Sequence, residues 1–355
     1  MRVLHLPSAI GGNAWNLSQG ERFNGIESKV LNIGDNSFGF KCDEKKDWQK
    51  NKFTYPIKAL KFYKKELKNY DILHFNFGKT IFDYKNRLIN MIDLPFIKKS
   101  GVKIVVTYQG SDARLASYCI NNYEVSFYKH YPSKLLAREF KKDKEKIRRI
   151  NKMDKYADLI YTTNPDLLNI LPKRAVFRPY TKIQIEDWDP RYSDYSKEKL
   201  IIAHAPTNRL IKGTDKIIET INIMINNGAP IELLLIENMT NEKAIENLKK
   251  SDLVIDQLYA GFYGGLAVES MALGKPVIAY IRESDLIHIP KEMKEQMPII
   301  NATDYNLMHV INDLIQNKNK LLEIAVKSRN YVERWHDSKK NAKDVIANYE
   351  KILNQ

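Results

Sequence analysis

The segment DQLYAGFYGGLAVESMALGKPVIAY (256–280) is the most informative stretch of the chain. An apolar strand runs into Asp256, and Gly261, Gly264 and Gly265 make a flexible turn behind it. LAVESMAL then carries apolar side chains at helical spacing, which predicts a helix from about 265 to 273. Gly274 stops that helix and Pro276 opens the next strand. Strand, turn, helix, strand is a βαβ unit, whose two strands lie parallel. Glu269 stands on the otherwise apolar helix, where an unpaired buried carboxylate costs several kcal/mol. It therefore needs a partner: ligand hydroxyls, or a structural group such as a backbone amide or Lys275.

The same alternation extends in both directions. Short apolar runs at 2–6, 28–33, 71–75, 102–107, 158–162 and 175–177 are separated by helical patterns. A polar, Tyr-rich stretch, EDWDPRYSDYSKEK (186–199), interrupts the series. A second series follows at 200–205, 231–236, 253–256, 276–280 and 298–301. Continuously apolar strands alternating with helices mean parallel sheets covered on both faces. The expected fold is α/β with two Rossmann-like domains, residues 1–185 and 200–335, joined by the linker 186–199.

Composition sets the limits. At 355 residues the chain exceeds what one core usually serves, and 43% hydrophobic with 28% charged residues rules out a disordered, collagenous or coiled-coil chain. Cys42 and Cys119 are too few for a disulfide framework, which suits a reducing compartment. No apolar run approaches the ~18 residues of a membrane span, and MRVLHLPSAIGG lacks the marks of a signal peptide. A cytoplasmic protein is expected. Its net charge of +14 is concentrated. Residues 41–68 and 134–155 each carry ten bases against four acids, so the two stretches hold 12 of the 14 charges. Apolar residues recur within them at three- and four-residue spacing, predicting two amphipathic basic helices. Such helices suit a solvated surface, an anionic membrane or a nucleic acid.

Ligands of open parallel sheets bind beyond the carboxyl ends of the strands. After the first strand, SAIGGNAW (8–15) places Gly11 and Gly12 before a helix, where backbone can approach a phosphate. The third and fourth strands end in HFNFG (74–78) and TYQGSDAR (107–114), bringing His74, Asn76, Gln109, Ser111, Asp112 and Arg114 to the mouth of the first sheet. In the second domain, HAPTNRLIKGTD (204–215) sets Arg209 and Lys212 before a helix N-terminus, a combination suited to a diphosphate.

Taken together, these segments resemble the GT-B glycosyltransferases, in particular the retaining enzymes of family 4. The resemblance covers nearly the whole chain: the Gly-Gly turn, the GSD segment (110–112), KGT (212–214), the GG-x3-ES-MALGKPVI block and the tail YVERWHDSKKNAKDVIANYEKIL (331–353). It implies two domains facing across a cleft, with the C-terminal helix (336–355) crossing back to the first. It also implies a sugar transferred from a nucleotide-sugar donor to a glycan or lipid-linked acceptor, in building a surface polysaccharide or glycoconjugate. Arg209 and Lys212 would neutralise the leaving diphosphate, and Glu269 would bond the ribose hydroxyls. Gly11, Gly12, Asp256, Gly264 and Gly265 would line the donor, and His74, Asn76, Gln109, Ser111 and Asp112 the acceptor side.

Three positions depart from the family pattern. Gly261 stands where the first of two Glu is usual, Gln109 replaces a common His, and Arg209 and Lys212 are three apart rather than five. No metal and no cofactor beyond the nucleotide sugar are assigned. The motif Asp187-Trp188-Asp189 resembles a metal-binding D-x-D but lies in the linker beside Pro190, and no Cys/His cluster has metal-ligand spacing. Two other functions fit some features. One is a nucleotide-sugar epimerase of the same fold, and the other is a basic nucleic-acid-binding protein, for which no recognition motif is present. With both basic stretches in the acceptor domain, an anionic membrane is the expected partner of 41–68 and 134–155. Attachment would then be peripheral, at the inner face of the membrane, and no nucleic acid partner is expected.

Overall fold

The computed structural model describes residues 1–34, 39–48, 51, 53–82 and 90–355. Lys50 and Lys52 of the first basic stretch lie outside the described residues. In chain order the elements are β1 (Arg2–Leu6), α1 (Asn13–Phe23), β2 (Glu27–Ile33), β3 (Glu44–Lys46), α2 (Tyr55–Glu66), β4 (Ile72–Asn76), α3 (Leu94–Lys99), β5 (Lys103–Tyr108), α4 (Ala116–Asn122) and α5 (Ser133–Tyr156). Then come β6 (Leu159–Thr162), β7 (Val176–Phe177), β8 (Leu200–His204), α6 (Arg209–Lys212), α7 (Thr214–Asn226), β9 (Ile231–Leu235), α8 (Asn241–Leu248), β10 (Leu253–Gln257) and α9 (Gly265–Ala272). The last are β11 (Val277–Ala279), α10 (Lys291–Glu295), β12 (Ile300–Asn301), α11 (Leu307–Gln316), α12 (Asn319–Trp335) and α13 (Ser338–Leu353).

The chain divides into two compact units, one of residues 1–115, 137–184 and 338–355, the other of 116–136 and 185–337. Residues 116–136, which the sequence leaves with the first domain, pack in the second unit. Cys119, Tyr123 and Phe127 there join Leu200, Ile217 and Ile255 in one apolar core. The first unit is built on a seven-stranded parallel sheet, β3-β2-β1-β4-β5-β6-β7, and the second on a five-stranded one, β12-β11-β10-β8-β9. Each sheet reverses its strand order once, between β1 and β4 in the first and between β8 and β10 in the second. These are the switch points at which such sheets leave room for ligands.

Alternation along the strands sorts the first sheet into two faces. Leu4, Leu73, Phe75, Ile104 and Val106 point to one, which α2, α3 and α5 cover with Tyr63, Ile97 and Ile150. Val3, Ile72, Val105 and Tyr161 point to the other, covered by Val345, Tyr349 and Ile352 of α13. The C-terminal helix thus belongs to the first unit. It lies so close to α1 that a Cβ on Gly20 would collide with the Ser338 carbonyl. Among the described residues of the stretch 41–68, Tyr55–Glu66 is the α-helical part, with Pro56 setting the start of that helix. Glu44–Lys46 instead pairs with β2 as a short charged edge strand, a pattern without the apolar alternation that announces strands. The second basic stretch is helical throughout, within α5.

Beneath α13 lies a fully buried polar layer. Glu21 takes a hydrogen bond from Ser28 Oγ at 2.6 Å, from Tyr349 OH at 3.2 Å, and shares one with His5 Nε2 at 2.8 Å. His74 bonds Tyr349 OH at 2.5 Å and Thr107 Oγ1 at 2.7 Å. Burial, with nearby His5 and Arg178, pushes the His74 pKa well down. In the second unit His204, between the Ile255 carbonyl (2.7 Å) and Thr214 Oγ1 (2.9 Å), is lowered by burial to about 4. Both rings are thus neutral when folded but take up protons near pH 6.5 when unfolded. The stability these two rings contribute is therefore complete above about pH 6.5 and is lost as the pH drops towards 4. The His204 share is about 3 kcal/mol. Urea unfolding at pH 7.5 and 4.5 should show the loss, and His204→Gln should flatten part of the slope.

Candidate functional site

In the second unit, the residues expected at the donor side gather at the sheet's switch point. Asp256, the last residue but one of β10, has no solvent exposure. Lys212, the last residue of α6, pairs with its carboxylate through Nζ. The loop is fixed from both ends. Asn208 caps α6 by accepting from the Ile211 amide at 3.2 Å, and Leu258 N–H donates to the Lys212 carbonyl at 3.1 Å. Between α6 and α7, Gly213 turns the chain with φ of 75°, where a Cβ would press on the Tyr259 ring at 2.8 Å.

Three details differ from the sequence-based arrangement. Arg209 and Lys212 do not converge. Arg209 is half exposed and held by Asp215 (2.8 Å) and Glu237 (2.8 Å), whereas Lys212 is mostly buried on Asp256. The Gly264 amide is not directed at a ligand, because it donates to Asp256 Oδ2 at 2.6 Å. Asp256 therefore lines no open surface and instead positions Lys212 and the glycine turn. Gly265, partly exposed, begins α9. Glu269, one turn on, is nearly buried and accepts from Asn241 Nδ2 at 3.5 Å. Lys275, the alternative partner, donates to Ser193 Oγ at 3.1 Å.

Gly261 has a physical explanation. Its φ is 82°, and a Cβ there would collide with the Arg282 guanidinium. That guanidinium is buried, paired with Asp285 at 2.8 Å, bonded to the Val125 carbonyl at 2.9 Å and stacked 3.5 Å from the Tyr123 ring centre. A cation thus occupies the place where the family pattern has a carboxylate side chain. The linker motif Asp187-Trp188-Asp189 presents both acids to solvent, while the Trp188 carbonyl is bonded to Arg329.

In the first unit, Gly11 and Gly12 both take positive φ, 76° and 74°, and make the turn between β1 and α1. Lys182 Nζ donates to the Gly11 carbonyl at 3.0 Å. Asn13 Nδ2 donates to Gln109 Oε1 at 3.2 Å. Among the described residues, buried Asn13 Oδ1 and Gln109 Nε2 make no hydrogen bond, leaving an acceptor and a donor beside the turn. Lys182 and Asn13 were not singled out in the sequence. A lone lysine in a lysine-rich chain and an asparagine at a helix start carry no signal until folding brings them to the glycines. Ser111 is exposed next to them, while Asp112 is spent locally, accepting from the Gln109 (3.1 Å) and Gly110 (2.7 Å) amides. His74 and Asn76 are not at the mouth at all. Both are buried, His74 within the layer under α13 and Asn76 bonded to the His74 carbonyl at 3.2 Å. The strand ends at 76, and inward residues of a strand with both faces covered have no route to solvent.

Among the described residues, His5, Glu21 and His74 are the group whose ligand atoms come within 4.8 Å of one another. All three are fully buried and bonded within the protein, and the charge of Arg178 nearby works against a cation there.

No protein-family model matches the sequence, and no curated protein matches it. Solved structures match over the whole chain. Sucrose-phosphate synthase from Thermosynechococcus elongatus is similar with a TM-score of 0.65 at 12% identity, covering 100% of both chains. HepE from Anabaena, solved with UDP and glucose, gives 0.61 at 13% identity over 99% of this chain and 100% of its own. The chain has the GT-B fold. A third structure, a putative UDP-N-acetylglucosamine 2-epimerase from Listeria monocytogenes, gives 0.52 at 15% identity, covering 98% of this chain and 95% of its own. At these identities the shared property is the fold, and chemistry has to be argued from the residues.

Two predictions follow from the geometry. Lys212→Ala strands a buried carboxylate and should cost about 3 kcal/mol in chemical unfolding, a loss that Asp256→Asn in the same chain partly restores. Gly261→Glu, which writes the family's carboxylate back in, should destabilise by about 2 kcal/mol or more, because it imposes a side chain at positive φ and displaces Arg282. Melting curves beside wild type check it.

Proposed function

We propose that this protein is a glycosyltransferase that moves a sugar from a nucleotide sugar to a glycan or lipid-linked acceptor, with retention of configuration and without a metal. One observation carries the reading: at the second sheet's switch point a lysine held by a buried aspartate stands with a nearly buried glutamate on the helix that follows the glycine turn. In the departing diphosphate, negative charge grows on the β-phosphate oxygens. A cation already oriented there stabilises it without reorganisation, which is where electrostatic catalysis gains most. Asp256 holds Lys212 aimed, so that Nζ can share its hydrogen bonds between the carboxylate and a phosphate. Arg209, itself 44% exposed, can add a second cation by leaving exposed Asp215 and partly buried Glu237, surface pairs whose hold is weak. With two cations available for the diphosphate, the leaving group has its counter-charge from the protein.

Glu269 suits the ribose, since a carboxylate accepts from two neighbouring hydroxyls at once. The polar turn of the first unit, with Gly11, Gly12, Asn13, Gln109 and Lys182, suits the anionic or hydroxyl-bearing groups of donor or acceptor. No protein nucleophile is assigned. HepE, similar in fold and solved with UDP and glucose, supports a uridine donor. A role in surface polysaccharide assembly and membership of retaining family 4 rest on the sequence resemblance. The Listeria structure supports a second reading, a nucleotide-sugar epimerase acting on the donor alone.

The test is ligand-induced stabilisation by UDP, GDP and ADP. At a concentration about a hundredfold above Kd, the preferred diphosphate should add about 2.7 kcal/mol of stability. Glu269→Ala and Lys212→Ala, each compared with its own ligand-free baseline, should lose most of that gain. If both keep it, the assigned site is wrong. An epimerised sugar formed from donor without acceptor would decide for the second reading.

A further inference from the structure

The face of the first unit formed by α2, α3 and α5 has a composition that the opposite face lacks. All three helices pack inward on the same side of the seven-stranded sheet. Their outer sides carry large apolar residues between 44% and 90% exposed: Phe53, Ile57 and Leu60 at α2, Ile92 and Phe96 at α3, and Ile147 on α5. Ile57 and Leu60 are three apart on one side of α2, and Phe53 continues the row just before the helix begins.

The charges between them have one sign. On α2 the exposed charged residues are Lys58, Lys61, Lys64 and Lys65, with Lys68 just beyond, while Glu66 is half-buried. On α5 from residue 137 they are Arg138, Lys141, Lys144, Arg148 and Lys155, and the acids of that helix are all turned at least partly inward. On α3, Lys98 and Lys99 are exposed and Asp93 is buried under Tyr63 and Thr80. Among the described residues, Lys58, Lys61 and Lys64 make no ion pair. The opposite face mixes the signs: α13 exposes Asp344 and Glu350 alongside Lys340, Lys343 and Lys351.

We propose that the α2–α3–α5 face seats the protein on a bilayer containing anionic lipids. Helices with an apolar row flanked by lysines lie in the interfacial plane, with apolar tips at the acyl boundary and ammonium groups among the phosphates. A nucleic acid would satisfy the lysines and leave Ile57, Leu60, Ile92 and Ile147 facing water. The sequence pointed to the basic stretches alone. The structure begins α2 at Tyr55, adds α3, and supplies the apolar row. The proposal is independent of the reaction proposed above, since it needs neither donor nor acceptor.

Sedimentation of the full-length protein with vesicles tests it. Binding to phosphatidylcholine vesicles containing phosphatidylglycerol should be strong at low salt, and binding to phosphatidylcholine alone weak. Each lysine at the surface is worth about fivefold, so Lys58→Gln/Lys61→Gln/Lys64→Gln should weaken binding on the order of a hundredfold. Ile57→Ser/Leu60→Ser, with charge unchanged, should weaken it about tenfold. Lys343→Gln/Lys351→Gln, on the opposite face of the same sheet, should bind like wild type. Melting curves establish that each variant is folded. The proposal is overturned if binding does not depend on the anionic lipid, or if the opposite-face variant loses as much as the lysine variant. It is equally overturned if the serine variant binds undiminished, or if the lysines govern binding to duplex oligonucleotides while vesicles are not bound.

Discussion

A carboxylate with no solvent exposure at the end of a central strand has to be paired, and the second unit is organised around pairing Asp256. Its oxygens hold Lys212 and the Gly264 amide, so one charge fixes both the loop after β8 and the turn after β10. The cost of stranding a buried charge makes this arrangement rigid without demanding that it contribute much net stability. Glu269 follows one helical turn later and Gly213 opens the next helix. The positions of both are consequences of where the pair locks the chain. Had Asp256 been exposed, Lys212 would hang in solvent as Arg209 does, shared among surface acids and screened by water.

The first unit also buries an ion pair, Arg114 with Asp166 beyond the ends of β5 and β6, and adds a polar layer to it. Its charged and polar core groups, Glu21, His5, His74 and Tyr349, lie under the C-terminal helix and link four segments that are distant in sequence. That layer explains why α13 is part of this unit: its tyrosine completes the hydrogen bonding of a buried glutamate, and the close approach at Gly20 leaves no space for a side chain. The other face of the same sheet is closed by an apolar core in which buried Asp93 is bonded to Tyr63 and Thr80. Its helices are therefore free to present lysines and apolar residues outward. One face is committed to internal order, the other to contact with the surroundings.

Periodicity made the framework legible. The apolar runs that became β1, β2, β4, β5, β8 and β10, and the helix of 265–272, follow from local patterns that tertiary context did not override. The exceptions share a cause. β3 has three charged residues and exists because β2 offers an open edge. Residues 116–136 look like a continuation of the first domain and are drawn into the second by Tyr123 and Phe127, whose burial partners lie far along the chain. Of the candidate site, Lys212, Asp256 and Glu269 were legible because a charged residue next to a glycine turn or on an apolar helix is costly without a reason.

His74 and Asn76 were misplaced because a strand sequence tells which residues alternate but not which face a terminal helix will cover. Lys182 and Asn13 escaped notice because their meaning depends on arriving beside Gly11 and Gly12 from elsewhere, and Arg282 because only the packed loop puts a guanidinium where Gly261 has no side chain. The amino-acid sequence by itself determined two parallel α/β units, the glycine turns at their strand ends and the concentration of positive charge. Only the tertiary structure decided which polar groups are spent inside the protein and which remain at the surface. Patterns of neighbouring residues fix local conformation, whereas burial is settled by segments that meet across long stretches of chain.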